Sequence, residues 1–269
     1  MNVRKAAVAG LFYEAERRQL QQQVNTLMDA AAAHAGAPDP SYPKVLIVPH
    51  AGSIYSGPTA ARAYRRLLPR RDEIERVVLL GPAHRVYLQA MAIPSVQAFA
   101  TPLGEVALDR DSIDTISSFP GVCESDEAHR QEHSLEVQLP FLQSVVGKFA
   151  LVPVVVGHCE PDTVASVVDA LWGGPETLVV VSTDLSHFHS YDEAGMLDTL
   201  TCERLLARAS DLDGEDACGA QALNGLMRSE HCRQLAIELL DLRNSGDSAG
   251  SKDAVNKDSV VGYGAFALH

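Results

Sequence analysis

The chain has 269 residues, 46% of them hydrophobic, with 22 Lys and Arg against 35 Asp and Glu for a formal net charge of −13. That length holds one large α/β domain or two small ones, and a pI near 5.1 with no basic cluster beyond Arg65, Arg66, Arg70 and Arg71 argues against a nucleic-acid groove or an anionic membrane surface as partner. Cysteines at 123, 159, 202, 218 and 232, without a C-x-x-C pair, argue against a disulfide scaffold or zinc knuckle and for a reducing compartment, expected to be the cytoplasm.

Near the N-terminus Arg4 and Lys5 precede an apolar stretch at 6–12, as in a signal peptide. The stretch is short, however, and runs straight into Tyr13-Glu-Ala-Glu-Arg-Arg18 with no small-residue cleavage site, so it reads as mature protein. Leu20, Val24, Leu27, Met28 and Ala31 recur at helical spacing until Gly36-Ala-Pro38, which predicts an amphipathic helix of about five turns. Four runs rich in β-branched residues then follow one grammar, each ending at a polar residue. They are 44–48 before Pro49-His50, 76–80 before Gly81-Pro-Ala-His84, 151–156 before Gly157-His158, and 177–181 before Ser182-Thr-Asp184. Apolar runs without alternation predict strands covered on both faces, hence a mainly parallel sheet. Helices are expected at 58–68, 132–146, 161–171 and 192–209, and His84 follows His50 by 34 residues, about one strand-helix-strand unit. A hairpin is expected over 98–108 around Pro102-Leu-Gly104, a closing strand over 260–268, and a loop of some 16 residues over 244–259. The longest apolar run, 149–157, is interrupted by Pro153 and is far short of the ~20 residues that span a bilayer, so no membrane helix is expected. The expected fold is one α/β domain over 1–269 with a mainly parallel central sheet flanked by helices.

In open α/β sheets the ligand site lies beyond the carboxyl ends of the strands. This sequence puts His50, His84, His158 and Asp184 with His187 at such ends. One histidine there would be structural, but several from distant segments converge on one rim and point to a metal or acid–base site. Neutral imidazole suits Fe, Zn, Cu and Ni. His133 falls at the start of the helix expected over 132–146, where the positive end of the dipole would keep an imidazole neutral and fit it for a base or hydrogen-bond donor.

Seven segments carry a family resemblance. Val8-Ala-Gly-Leu-Phe-Tyr13, Val48-Pro-His-Ala-Gly52 with Tyr55-Ser-Gly57, Leu80-Gly-Pro-Ala-His84, Glu132-His-Ser-Leu-Glu-Val-Gln-Leu-Pro-Phe141, Ser182-Thr-Asp-Leu-Ser-His187, Ala217-Cys-Gly219 and Val261-Gly-Tyr-Gly264 resemble the Memo family, whose prokaryotic members are also called AmmeMemoRadiSam system protein B. That family in turn is similar to the class III extradiol, LigB-like dioxygenases, non-haem iron(II) enzymes of α/β fold. The resemblance implies His50, His84 and Cys218 as metal ligands, and His187, His133 and Asp184 as acid–base or orienting residues near the metal. Glu132-His-Ser134 and Leu185-Ser-His187 are similar to the two histidine motifs of the dioxygenases. A thiolate in place of a carboxylate opens copper and zinc beside Fe(II), the expected ion. The chain departs from the family pattern at Ser53, where an aromatic residue is usual, and after Cys218-Gly219, where Ala220-Gln-Ala222 replaces the usual Arg and Pro.

The resemblance implies a metal-dependent oxidoreductase acting on an unknown small molecule. It also leaves room for a non-catalytic scaffold that binds a peptide in the cleft, and for a zinc-dependent hydrolase built on the same ligands. The family name further implies radical-SAM and AMMECR-type partner proteins. His158, His189 and the remaining cysteines, Cys123, Cys159, Cys202 and Cys232, read as structural residues.

Overall fold

A computed structural model describes residues 2–33, 42–247 and 257–269. Its strands are β1 (Val3–Arg4), β2 (Val45–Val48), β3 (Arg76–Pro82), β4 (Met91–Ile93), β5 (Ala98–Thr101), β6 (Gly104–Ala107), β7 (Val122–Glu124), β8 (Ala150–Val156), β9 (Thr177–Ser182), β10 (His187–His189), β11 (Ile237–Asn244) and β12 (Val260–Leu268). Its α-helices are α1 (Arg17–Ala33), α2 (Gly57–Arg65), α3 (Arg110–Ile116), α4 (Asp126–Arg130), α5 (Leu139–Val145), α6 (Pro161–Ala170), α7 (Tyr191–Leu206) and α8 (Ala220–Arg228).

The four uninterrupted apolar runs become the centre of the main sheet, in the order β2-β9-β3-β8 and all parallel. Val45 to Val48, Val77 to Leu80 and Leu178 to Val181 are all buried, each large side chain contributing about 1.5–3 kcal/mol by leaving water. The flanks reverse direction: β12 joins β2 antiparallel, β10 and β11 both pair antiparallel with β12, and β4 joins β8 antiparallel with β7 outside it. The sheet is thus mixed, mostly parallel at its core, and belongs to a single α/β domain. The 98–108 hairpin forms as β5 and β6 and takes β1 alongside to make a separate small sheet. Helices α1, α2 and α5 pack together, with α2 on β2 and β12, while α6 and α8 pack together with α8 on β3.

Two expectations are adjusted and a third is untested. The helix expected over 132–146 begins only at Glu136–Gln138 as a 3-10 turn and continues as α5, with 132–135 non-helical. The 244–259 segment starts with the last residue of β11 and a 3-10 turn, Ser245–Asp247, while 248–256 lie outside the described residues. The expected stop of α1 at Gly36-Ala-Pro38 also lies outside them.

Register fixes where the site falls. Val48 pairs with Ser182, Leu80 with Val181 and Pro82 with Val156, so the carboxyl ends of the four central strands are level. β9 lies between β2 and β3, and the turns that carry His50 and His84 therefore flank the Ser182-Thr-Asp184 exit of β9 on either side.

Candidate metal centre

His50, His84 and His133 each place a ring nitrogen within 4.8 Å of the others'. The rings of His84 and His133 stack with centroids 4.6 Å apart, and His50 stands edge-on to both at 5.1 and 5.5 Å. His50 is buried, His133 half-buried and His84 the outermost of the three, so the cluster opens to solvent on the His84 side.

The surrounding hydrogen bonds determine which nitrogen of His50 is available. Its Nδ1 is 2.9 Å from Ser182 Oγ, which also donates to the Ser134 carbonyl at 2.6 Å and accepts from Gln138 Nε2 at 2.7 Å. A hydroxyl has one proton and two lone pairs. With that proton on the Ser134 carbonyl, His50 Nδ1 must be the donor, leaving Nε2 with a bare lone pair. Burial, then the neighbouring His84 and His133, push the pKa of His50 well below the usual value, which keeps that lone pair available.

His84 is oriented the same way by a carboxylate. Glu132 Oε1 accepts from His84 Nδ1 at 2.9 Å and from the backbone amides of His133 and Ser134 at 2.8 and 2.9 Å, while Oε2 accepts from the His84 amide at 2.6 Å. Burial alone would raise the Glu132 pKa, but the His84 bonds and the amides outweigh it and bring it to about 2. An ionised acceptor fixes the proton of His84 on Nδ1 and frees Nε2. The same carboxylate explains why 132–135 does not wind into a helix, since it holds these amides in a turn across the end of β3. Gly81 makes room for that turn, because a Cβ there would lie 2.9 Å from Ser134 Oγ and from Leu135.

His133 therefore does not stand in a helix's first turn, and a helix dipole is not what keeps it neutral. Its pKa falls to about 4 through burial, with Glu132 opposing and His84 and Arg85 adding. Its Nδ1 is buried without a hydrogen-bond partner, 3.4 Å from Glu132 Oε1. Phe12 covers the ring at 4.7 Å. Ser53 anchors Phe12, donating both its amide (2.7 Å) and its hydroxyl (3.0 Å) to the Phe12 carbonyl.

Cys218 and Asp184 abut His50 outside the three-histidine group. Cys218 Sγ is 3.4 Å from His50 Nε2 and accepts from the Asp184 amide at 3.2 Å. Burial, reinforced by Asp184, pushes the thiol up to about 12. Asp184 Oδ1 accepts from the His50 and Ala51 amides at 2.7 and 3.3 Å, and Oδ2 is 3.9 Å from His50 Nε2. Burial raises its carboxyl to about 7 against the pull of those amides. His187 sits on β10, half-buried and lowered by burial, and is not one of the clustered histidines. His158 is exposed beyond β8 with its ring 6.5 Å from Tyr87, and His189 faces Glu193 at 3.4 Å.

Two bare imidazole lone pairs, a buried unpartnered imidazole nitrogen and an adjacent thiol make a donor set that can hold one metal ion. The supporting residues Glu132, Ser182 and Gln138 were not identified from sequence. For Glu132 and Gln138 the signal is the density of polar residues in Glu132-His-Ser-Leu-Glu-Val-Gln138, of which Glu132, Ser134, Glu136 and Gln138 are buried.

The Memo-like protein family matches residues 4–267. A MEMO1 family protein of Aquifex aeolicus is 33% identical over 95% of this chain and 97% of that protein. Another from Ignicoccus hospitalis is 34% identical over 98% of each chain, and one from Methanobrevibacter smithii is 31% identical over 97% of this chain and 98% of that protein. A crystal structure of an uncharacterized protein from Escherichia coli K12 aligns with a TM-score of 0.47 at 13% identity, covering 82% of this chain and 98% of that one. A match across nearly the whole chain, with relatives above 30% identity covered almost end to end, shows that this chain belongs to the Memo family.

Proposed function

We propose that the chain binds one metal ion through His50, His84 and His133, with Cys218 as a soft fourth donor, and that it performs redox chemistry on a small substrate, with Fe(II) as the ion and copper as the alternative. The observation that carries this reading is the fixed tautomers within a close three-histidine group: Ser182 and Glu132 each hold an Nδ1 proton, so that His50 and His84 keep Nε2 free for an ion. A redox-active ion held there supplies electron transfer and Lewis acidity.

The chain's own residues supply the rest. Glu132 keeps His84 oriented and offsets the charge that the ligand set gathers. Asp184 commits Oδ1 to backbone amides and turns Oδ2 toward His50, where it can hold or release a proton. His187, half-buried on β10, moves protons at the rim. Phe12 excludes water from one side of His133.

A second reading, hydrolysis at zinc, is favoured by one feature: three neutral imidazoles are a donor set that catalytic zinc accepts. Metal analysis of protein purified without chelator tests both. About one iron or copper per chain, lost when His50 and His84 are changed to Ala, is the expected result. Zinc as the sole ion would favour hydrolysis, and unchanged metal content in the double variant would sink the site.

A further inference from the structure

Strand β8 also runs out to a histidine, His158, which the metal cluster leaves out. A cavity of about 560 Å³ opens where β8 gives way to α6, and its lining includes Gln89, His158, Glu160, Thr163, Asp211 and Gln221. The lining contains none of His50, His84, His133 and Cys218. Small-molecule sites have this size, and in open α/β sheets they lie beyond the carboxyl ends of the strands. The walls are pinned by the chain itself. The His158 amide donates to the Leu88 carbonyl at 2.8 Å, which holds the segment carrying Gln89. Buried Asn224 grips the main chain of Leu212 twice, accepting from its amide at 2.9 Å and donating to its carbonyl at 2.8 Å. Gly121, at φ 76°, lets Thr163 approach so closely that a Cβ there would stand 2.7 Å from its methyl group. The cavity is therefore formed before any ligand enters.

Charge in the lining selects against ions of either sign. Two carboxylates, Glu160 and Asp211, line it and, among the described residues, no lysine or arginine does, which disfavours an anion. The amides of α6 that would hold an anion are also spent, since those of Thr163 and Val164 donate to the Glu160 carbonyl at 2.9 and 3.3 Å. A cation is disfavoured because α6 and α8 both begin here, with Thr163 and Gln221 in their first turns, each end bringing about half a positive charge. Asp211 is already paired with Arg204 at 3.1 Å. What is unspent is polar: the Glu160 carboxylate, the Thr163 hydroxyl and the Gln221 side-chain amide have no hydrogen-bond partner among the described residues. Gln89 donates through Nε2 to the Tyr87 hydroxyl at 2.9 Å and keeps Oε1. Such a mixture of donors and acceptors matches neighbouring hydroxyls, each of which both donates and accepts. We propose that this cavity is a second binding site, separate from the metal centre, for an uncharged polyhydroxylated molecule of the sugar or cyclic-polyol class.

Saturation-transfer NMR titrations test it with four probes: D-glucose and myo-inositol as neutral polyols, gluconate as the anion and glucosamine as the cation. At least one neutral probe is expected to bind, and more tightly than either ion. Gln221→Ala and Glu160→Ala should each weaken that binding by about tenfold, while Leu200→Ala on α7 should bind as wild type. Neither side chain is bonded within the described chain, so both variants should keep the wild-type Tm. Binding of neither neutral probe, tighter binding of an ion, or binding by both variants within about twofold of wild type would overturn the proposal. Chelated, metal-free protein should bind the neutral probe as well as the untreated protein does, and binding that needs the metal would place the probe at the histidine cluster and overturn the separate site.

Discussion

Glu132 Oε1 lies 2.9 Å from His84 Nδ1 and at the same time accepts the His133 amide at 2.8 Å, so one carboxylate aims one histidine and positions the backbone of the next. Glu132→Gln keeps the shape and loses the charge, and an amide nitrogen placed toward His84 Nδ1 would force that ring to change tautomer or turn. Metal affinity is expected to fall by roughly 10–100-fold, the usual loss when such a partner is removed. Competition with a chromophoric chelator measures it, and an unchanged affinity would show that His84 is not oriented through Glu132.

Cys218 bears on the identity of the ion. Its thiol is pushed up to about 12 by burial and Asp184, so without metal it stays protonated at neutral pH, and ligation by sulfur must release a proton. Cobalt(II) substitution should therefore give a sulfur-to-metal charge-transfer band in the wild type that is absent in Cys218→Ser, with uptake steeper in pH for the wild type. Identical spectra would leave His50, His84 and His133 as the whole ligand set.

The parts of this molecule legible in its sequence are those where a local pattern and the tertiary outcome agree. Val45–Val48 and Thr177–Ser182 are buried throughout and read as apolar runs, and residues that follow such runs, His50 and His84 among them, had to fall at one rim. His133 is legible as a histidine but not in its surroundings, because apolar spacing from Leu135 to Val146 says helix while the Glu132 carboxylate, reaching from this segment to His84 beyond the end of β3, holds its first residues in a turn. Strand β11 alternates charged and apolar residues and is only partly buried along most of its length, which leaves a weak signal. The approach of Cys218 to His50 depends on the Gly219 amide donating to Thr183 Oγ1 at 2.8 Å, a bond between segments 36 residues apart that no local spacing reveals.

His129 gives the metal-free protein an acid limit away from the cluster. It is buried, donates through Nε2 to the Ala92 carbonyl at 2.9 Å and leaves Nδ1 unpaired; burial, opposed by that bond, brings its pKa from 6.5 to about 4. The unfolded chain takes up a proton near pH 6.5 and the folded chain only near 4, so this stability is full above pH 6.5 and drains as pH falls from 6.5 toward 4. Its size is roughly 3 kcal/mol across that window. Denaturant midpoints of metal-free wild type and His129→Gln at pH 7 and pH 4 test it: the wild type should lose more on acidification, and equal losses would remove His129 from the account.

Glu136 ties the N-terminal segment to the site. Fully buried, it accepts from the Ala7 amide at 2.8 Å, the Val8 amide at 3.0 Å and the Tyr13 hydroxyl at 2.5 Å, and pairs with the Arg4 guanidinium. Arg4 continues to the backbone carbonyl of Glu132 at 2.6 Å, so the Glu136 network also holds the main chain at the start of the 132–136 segment. Glu136→Ala strands the buried Arg4 charge and is expected to cost about 3–5 kcal/mol. Adding Arg4→Met removes the stranded charge but leaves the Ala7 and Val8 amides without an acceptor, so the double variant should recover only part of the loss. Because Phe12, whose ring covers His133 at 4.7 Å, lies between the Glu136-bonded Val8 and Tyr13, metal affinity should fall with stability in the single variant and return in part in the double. Urea unfolding and chelator competition on the same samples check both halves, and full metal affinity in a destabilised Glu136→Ala would show that Phe12 holds its place over His133 without this network.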